Sequence, residues 1–180
     1  MKINSAKITR IALCTAFITV GAVIAFPTKP AFTLQTLCIF LSSLILKPTE
    51  AFLSTLIYIL LGIIGVPVFA GFQGGISVIT SVSGGFILSF PLIALMCSHA
   101  LRRFRSSAFV YACVFTLATM VSYILGAAWI GIFSHAKMTF IDFAAFAIFD
   151  ILKIAAATFC SLKLKKAFKN DKKKDTNNKS

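Results

Sequence analysis

The chain has 180 residues, of which 58% are hydrophobic and 19 are phenylalanine, and its formal net charge is +13. A soluble domain of this size could not bury so much apolar surface, so the composition excludes an ordinary soluble protein and predicts one all-α integral membrane domain. The basic residues collect near the C-terminus and at the ends of apolar segments. They form no stripe interleaved with aromatic residues, which argues against binding of nucleic acid.

The reactive residue types show none of the spacings that catalysis or metal binding requires. The five cysteines are single and lie inside apolar segments without a CxxC motif, so we expect them to pack as small hydrophobic side chains. GxSG and HExxH motifs are absent from the sequence, as is an ATP-binding motif. We therefore expect no catalytic residues, no metal site, no cofactor in this chain and no enzymatic activity.

Six apolar segments follow one another along the chain, at about residues 8–26, 32–46, 51–69, 84–101, 108–133 and 140–162. A transmembrane helix needs about 20 residues, so the second segment is short, and it is expected to be tilted, broken or partly buried. Five more segments follow the first one, which therefore reads as a retained helix and not as a signal peptide. Residues 163–180 form a basic tail, expected to be a frayed helix end followed by disorder.

The distribution of Lys and Arg predicts the orientation of these six transmembrane helices. Alternating the segments across a membrane puts most basic residues on one side: Lys2, Lys7, Arg10, Lys47, Arg102, Arg103, Arg105 and the tail. The other side receives only Lys29 and Lys137. By the positive-inside rule, both termini are cytoplasmic and the chain is a multi-pass protein of the cell membrane.

Two connections on the predicted outer side carry polar groups. Gln35, in the stretch TLQTL, enters the second segment below the outer surface, where it could bond a ligand amide or the backbone of a neighbouring helix. The stretch from Val66 to Gly85 holds five of the ten glycines and no charge. Irregular backbone at membrane depth is tolerated where it lines a cavity, so this stretch is interpreted as a lid or re-entrant wall, with Gln73 as its polar side chain. A flexible linker is the alternative.

Asp150 and Lys153 lie three residues apart inside the sixth apolar segment. The spacing places both on one helix face, and Asp150 lies about 15 Å below the outer edge at 1.5 Å per residue. Charged groups at this depth are costly and mark functional sites when they face a cavity with a partner. The pair therefore predicts an outward-opening pocket for a small polar anion, with a purely structural ion pair between helices as the alternative.

Together these residues resemble the BioY family, the biotin-binding S components of energy-coupling factor (ECF) transporters. The resemblance rests on LGIIGVPVFAGFQGG, on SGGF, on TLQTL and on Asp-x-x-Lys in the last helix, and it covers nearly the whole chain. It implies a six-helix protein that captures biotin from outside, as the high-affinity substrate-binding subunit of a transporter. It also implies a transmembrane coupling subunit and two ABC-type ATPases as partners, with ATP used by those ATPases.

The resemblance assigns roles to named residues. It implies that Asp150 and Lys153 are the acidic and basic binding residues, with Gln73 and Gln35 as polar partners of the ligand. The substrate-binding residues expected beside them are the loop glycines and nearby aromatic residues: Gly74, Gly75, Phe69, Phe72 and Phe86. The family's small-residue docking motif corresponds to Ala12 and Ala16, although this spacing is also typical of ordinary helix packing.

The sequence departs from the family pattern where a Pro-Gly pair usually precedes the Asp of the last helix. Here the two residues are Ile148 and Phe149, so the helix is expected to be more regular around Asp150.

Two hypotheses from other classes stay open. One is a stand-alone, ion-coupled carrier of biotin or another small organic anion, which would use Asp150 and Lys153 as a proton relay. The other is a purely structural membrane subunit.

Overall fold

The computed structural model describes residues 5–26, 32–104, 107–134 and 140–177. Its α-helices, in chain order, are α1 (Ser5–Val23), α2 (Gln35–Ile45), α3 (Pro48–Ile63), α4 (Ile76–Ile79), α5 (Gly84–Arg103), α6 (Ala108–Trp129) and α7 (Phe140–Asn177). Two short strands, β1 (Ala25–Phe26) and β2 (Phe32–Thr33), pair antiparallel between α1 and α2. A π-helical turn, Ile130–Ser134, continues α6. The expected all-α class is confirmed.

The six longer helices follow the order of the six predicted segments. Within the described residues, three stretches are long and apolar enough to cross a membrane: Ser5–Val23, Gly84–Arg103 and Ala108–Phe133. The helices α2 and α3 are apolar but have only 11 and 16 residues. The short second segment was expected, and the number of membrane crossings stays a prediction.

Contacts between the helices show that successive long helices alternate in direction. α5 and α6 are antiparallel, because Ser89 bonds Ser122 while Gly85 packs against Trp129. α2 and α7 run the same way, since Phe32 contacts Phe149 and Thr36 contacts Lys153. One end of the bundle, called the loop end, therefore carries β1, β2 and residues 64–83.

The opposite end of the bundle, called the basic end, carries Arg10, Lys47 and Arg102. Arg10 pairs with Glu50 near the start of α3, and Arg102 donates to the Ile45 carbonyl at the end of α2. This is the grouping of basic residues that the alternation of segments predicts. The two lysines expected at the other side, Lys29 and Lys137, lie outside the described residues.

Local sequence signals explain where several helices begin. α3 starts with Pro48 in its first turn, where a missing N–H costs nothing, and Glu50 accepts a hydrogen bond from the Lys47 backbone N–H at 3.2 Å. α6 starts after Ser107, whose hydroxyl accepts from the Val110 N–H at 3.2 Å. These caps define the ends that neighbouring helices pack against.

The last helix differs from the sequence prediction at its end. α7 continues to Asn177, whereas a frayed end and disorder were expected after residue 162. Residues 163–177 contain no Pro or Gly and many Lys, so nothing in their chemistry ends the helix. The helix also runs without interruption through Ile148 and Phe149, as the missing Pro-Gly pair predicts.

The core lies between α1, α2, α3, α5 and α6. Ile18, Ile93 and Phe115 are fully buried, and the rings of Phe40 and Phe115 stack with centroids 4.6 Å apart. This stack joins α2 to α6 beneath the loop end. The loop end above it is less densely filled.

Residues 64–83 form a folded connection and not a flexible linker. Phe69 and Gln73 pair across a short 3₁₀ turn, Ala70–Phe72, and α4 follows. The N–H of Gly75 donates to the Gly62 carbonyl at 2.7 Å, which ties the connection to the end of α3. The segment is therefore held as a wall at the loop end.

Candidate functional site

A cavity of about 550 Å³ lies at the loop end, bordered by α2, α5, α6, α7 and the connection 64–83. Its volume is within the range of roughly 300–1,000 Å³ that is typical of small-molecule sites. The lining is mostly apolar, with a few polar groups. Those polar groups are Thr33, Gln35, Thr36, Gln73, Ser81, Ser83, Thr119, Ser122, Tyr123, Asp150 and Lys153.

The Asp150–Lys153 pair is buried beside this cavity. Lys153 Nζ lies 2.8 Å from Asp150 Oδ1, and the two side chains are 8% and 10% exposed. Lys153 Nζ also lies 3.1 Å from Thr36 Oγ1 and 4.1 Å from the centre of the Phe32 ring. The ammonium is thus held between α7, α2 and β2 by an ion pair, a hydrogen bond and a cation–π contact.

The other oxygen of the Asp150 carboxylate is held from α6. The Tyr123 hydroxyl donates a hydrogen bond to Asp150 Oδ2. Because a lysine and a tyrosine engage the two oxygens, the carboxylate is fixed in position and its charge is balanced by Lys153. A carboxylate oxygen has more than one lone pair, so both oxygens retain capacity to accept from a ligand.

Gln35 reaches the cavity from the first turn of α2. The residue is 4% exposed, and its Nε2 has no hydrogen-bond partner among the described residues. Buried amide groups are normally hydrogen-bonded, and the Gln35 amide also interacts with the side chain of Tyr58. Of the two interpretations of Gln35, a ligand contact and a bond to a neighbouring helix backbone, its place in the cavity lining favours the first.

Two aromatic side chains of the lining rest against glycines. A Cβ at Gly62 would overlap the Phe69 ring, and a Cβ at Gly126 would overlap the Phe86 ring. Phe86 also meets Tyr123 edge to face at 6.4 Å. The absence of a side chain at Gly62 and Gly126 lets α3 and α6 accept these rings closely, which sets the width of the cavity.

The remaining residues predicted for the site are divided by the structure. Gln73 lines the cavity, whereas Phe72, Gly74 and Gly75 are not among its lining residues. Phe72 is 68% exposed. Gly74 lies against the carbonyls of residues 65 and 66, and Gly75 adopts a φ of +96° that side chains rarely allow. These two glycines shape the connection that carries Gln73.

Ala12 and Ala16 lie far from the cavity, on an exposed face of α1. They border a shallow apolar groove with Thr15, Ile57 and Leu61, between α1 and α3. Both alanines are exposed in the described part of the chain, so no other helix of this chain covers them there. Their small side chains leave room for close approach of another helix.

Sequence reasoning did not single out Tyr123, Ser122, Thr119 or Phe32, all of which line the cavity. A signal was present for the first three. They are polar, lie at i, i+3 and i+4 within an apolar helix, and therefore share one face. Phe32 gave no comparable signal, because its role depends on the β1–β2 pairing that brings it over Lys153.

Comparison with known proteins places this geometry in context. The sequence profile described as the BioY family matches residues 1–170. A probable biotin transporter BioY of Pyrococcus horikoshii is 34% identical over 88% of this chain and 95% of its own length. The biotin transporter BioY of Thermotoga maritima is 33% identical over 89% of this chain and 96% of its own length.

A solved structure has the same fold. It is the crystal structure of the S component for biotin from an ECF-type ABC transporter, which superposes with a TM-score of 0.79. The match covers 89% of this chain and 91% of that chain at 21% identity. The likeness establishes the arrangement of the helices.

Proposed function

This chain belongs to the BioY family, and we propose that it is the biotin-binding S component of an ECF-type transporter. The family is a transporter family and the protein is a multi-pass membrane protein without enzymatic function. The observation that carries the proposal for this chain is the buried Asp150–Lys153 pair on the wall of a ligand-sized cavity. Such a pair is expensive to bury unless a site needs it.

The chemistry of biotin matches the polar groups of the cavity. Biotin has a cyclic urea with two N–H donors and one carbonyl, a sulfur ring, and an alkyl chain that ends in a carboxylate. Asp150 can accept a urea N–H, while Gln35 Nε2 can donate to a carbonyl. Phe69 and Phe86 supply apolar walls for the sulfur ring and alkyl chain. Gln73 serves as a further donor and acceptor at the connection.

The contacts of the Lys153 ammonium favour one end of biotin as the end that lies deepest in the cavity. Lys153 already contacts Asp150, Thr36 and Phe32, so the pair presents little net charge to the cavity. A neutral, hydrogen-bonding group such as the urea fits beside a balanced pair better than a carboxylate does, because a second anion would lack its own cation. The carboxylate then lies towards the connection 64–83.

ATP-driven transport would require separate ATPases, since this chain has no ATP-binding motif. The proposed partners are a transmembrane coupling subunit and two ABC-type ATPases. The exposed groove at Ala12 and Ala16 is the proposed docking face for the coupling subunit. The proposed location is the cytoplasmic membrane, with both termini inside and the cavity facing outward.

Equilibrium binding of radiolabelled biotin to the purified chain in detergent tests the ligand. We expect saturable binding with one site per chain, displaced by unlabelled biotin and not by an unrelated organic anion of similar size. Well-folded protein that binds no biotin would contradict the proposal.

Uptake of labelled biotin by cells tests the partners. We expect uptake to be high when this chain is produced with the coupling subunit and ATPases, and to fall when the ATPases carry an inactivating substitution. Uptake that is unchanged without the ATPases and is abolished by a protonophore would favour the ion-coupled carrier instead.

A further inference from the structure

One wall of the cavity consists of three hydroxyl groups on α6. Thr119, Ser122 and Tyr123 occupy i, i+3 and i+4 positions and all line the cavity. A hydroxyl has a single proton to donate and two lone pairs to accept with. The direction of each proton therefore determines whether the wall offers donors or acceptors to a ligand.

The Ser122 proton is directed away from the cavity by a relay to α5. Ser89 Oγ donates to the Phe86 carbonyl at 2.6 Å, which uses the only hydroxyl proton of Ser89. Ser89 Oγ also lies 2.8 Å from Ser122 Oγ, and while Ser89 keeps its proton on the Phe86 carbonyl, Ser122 is the donor of this second bond. Ser89 is 1% exposed and is not among the residues that line the cavity. Ser122 thus retains only lone pairs for the cavity.

The hydroxyl protons of Thr119 and Tyr123 are also donated to protein acceptors. Thr119 Oγ1 donates to the Phe115 carbonyl at 2.9 Å, and the Tyr123 hydroxyl donates to Asp150. All three protons of this α6 face are therefore committed to protein acceptors. On α2, by contrast, the buried side-chain amide of Gln35 brings N–H donors to the cavity lining. The cavity offers acceptors from α6 and a donor from α2.

We propose that Ser122 determines specificity by accepting a hydrogen bond from one urea N–H of biotin, and that Ser89 is the residue that positions its lone pairs. This inference rests on the proposed function and names residues that the Asp150–Lys153 pair does not explain. A ligand with an oxygen in place of that N–H would put lone pairs against the lone pairs of Ser122. Because a buried acceptor then loses its partner, such a ligand is rejected.

The probes are biotin and its two cyclic carbamate analogues, each of which has one urea N–H replaced by an oxygen. Their dissociation constants are measured on the purified chain in detergent, for the wild type and for Ser122→Ala and Ser122→Cys. We expect the wild type to prefer biotin over one carbamate. Ser122→Ala is expected to weaken biotin binding about fivefold, the value of one neutral hydrogen bond, and to leave binding of that carbamate unchanged or stronger.

Ser89→Ala separates positioning from packing. Without Ser89 as an acceptor, the Ser122 hydroxyl can turn and donate to the ligand. We expect the preference for biotin over the carbamate to fall about fivefold while biotin affinity stays within about twofold. A residue that serves only in packing would weaken both ligands equally and leave their ratio unchanged.

The outcomes are distinguishable. If the ratio of biotin to each carbamate is the same in the wild type, Ser122→Ala and Ser122→Cys, the inference about Ser122 is wrong and the proposed function stands. If the wild type binds no biotin, both fail. Ser122→Cys leaves no cavity, because the thiol fills the space of the hydroxyl. It is therefore the variant to compare with the wild type should Ser122→Ala not fold.

Discussion

Two acid–base pairs lie at opposite ends of this bundle and have opposite environments. At the loop end, Asp150 and Lys153 are both buried, with side chains 10% and 8% exposed, 2.8 Å apart on one helix beside the cavity. At the basic end, Glu50 is 3% exposed but Arg10 is 49% exposed, and their 3.5 Å contact joins α3 to α1. Neither Arg10 nor Glu50 lines the cavity.

The difference is the one expected between a ligand site and a structural contact. Glu50 has a local role, since it accepts the Lys47 N–H and stabilises the first turn of α3 while Arg10 stays partly in solvent. Asp150 and Lys153 cap no helix end. Both charges are removed from solvent, which costs free energy that no helix cap offsets. A balanced pair on a cavity wall is instead suited to a ligand that completes its hydrogen bonds.

The largest expected effect comes from breaking the loop-end pair. Lys153→Ala leaves the Asp150 carboxylate buried without its cation, which lowers the free energy of unfolding by about 3–5 kcal/mol. Because Asp150 then loses the group that fixes it beside the ligand, biotin affinity of the folded protein should fall about 100-fold. Arg10→Ala is the matched control from the other pair and should change affinity less than about twofold, because neither Arg10 nor Glu50 lines the cavity. Equal losses in the two variants, measured by equilibrium binding, would remove the distinction between the pairs.

A second, smaller effect is expected at Gly126, against which the Phe86 ring of the cavity wall packs. Gly126→Ala places a methyl group where the Phe86 ring lies, so the ring must shift into the cavity and biotin affinity should fall about tenfold. Alanine favours a helix more than glycine does, so helix stability does not account for a loss. Gly131→Ala, where a Cβ meets open space, is the control. Unchanged binding in Gly126→Ala would show that the width of the cavity is not limiting.

Removal of the Tyr123 hydroxyl, which donates to Asp150, should have a smaller effect on affinity than Gly126→Ala. Tyr123→Phe removes the donor to Asp150 Oδ2 while Lys153 keeps the charge balanced, so we expect affinity to fall about fivefold. The control is Tyr111→Phe, since the Tyr111 hydroxyl is buried without a hydrogen-bond partner among the described residues and does not line the cavity. Isothermal titration with biotin measures both, and an equal response would contradict the role of Tyr123.

The smallest effect on binding is expected at the basic end. Glu50→Ala removes the cap of α3 and should lower the free energy of unfolding by about 1–2 kcal/mol while biotin affinity stays unchanged. Glu50→Gln keeps an oxygen acceptor for the Lys47 N–H and should lose less. Thermal unfolding in detergent, beside binding at a temperature where all variants are folded, checks this. Loss of binding by folded Glu50→Ala protein would show that the two ends are coupled.

The positions of the helices could be read from the sequence to a large extent. The apolar runs at about residues 51–69 and 108–133 predict helices near the places where α3 and α6 begin. The β1–β2 pairing and the extension of α7 to Asn177 were not predicted. A two-residue strand has too little pattern to recognise, and a polar sequence of good helix formers gives no signal of where it stops.

The candidate site was predictable only for residues that are unusual in their own segment. Asp150 and Lys153 stand out because charge is costly in an apolar helix, and Gln35 and Gln73 because amides are scarce there. Tyr123, which bonds Asp150 across 27 residues of sequence, is uncharged, and its weaker signal is the helix face that it shares with Thr119 and Ser122. Phe72 was named from its place in the glycine-rich stretch, and the fold of the 3₁₀ turn leaves it exposed.

By itself the sequence determined that this is a helical membrane protein and that Asp150 and Lys153 share a helix face, because composition and helical periodicity depend only on the chain. Only the tertiary structure decided that Thr36, Phe32 and Tyr123 surround this pair and that Ser89 lies within hydrogen-bond distance of Ser122. Such contacts depend on which helix faces meet and at what depth. Packing of whole helices decides both, and no local pattern encodes them.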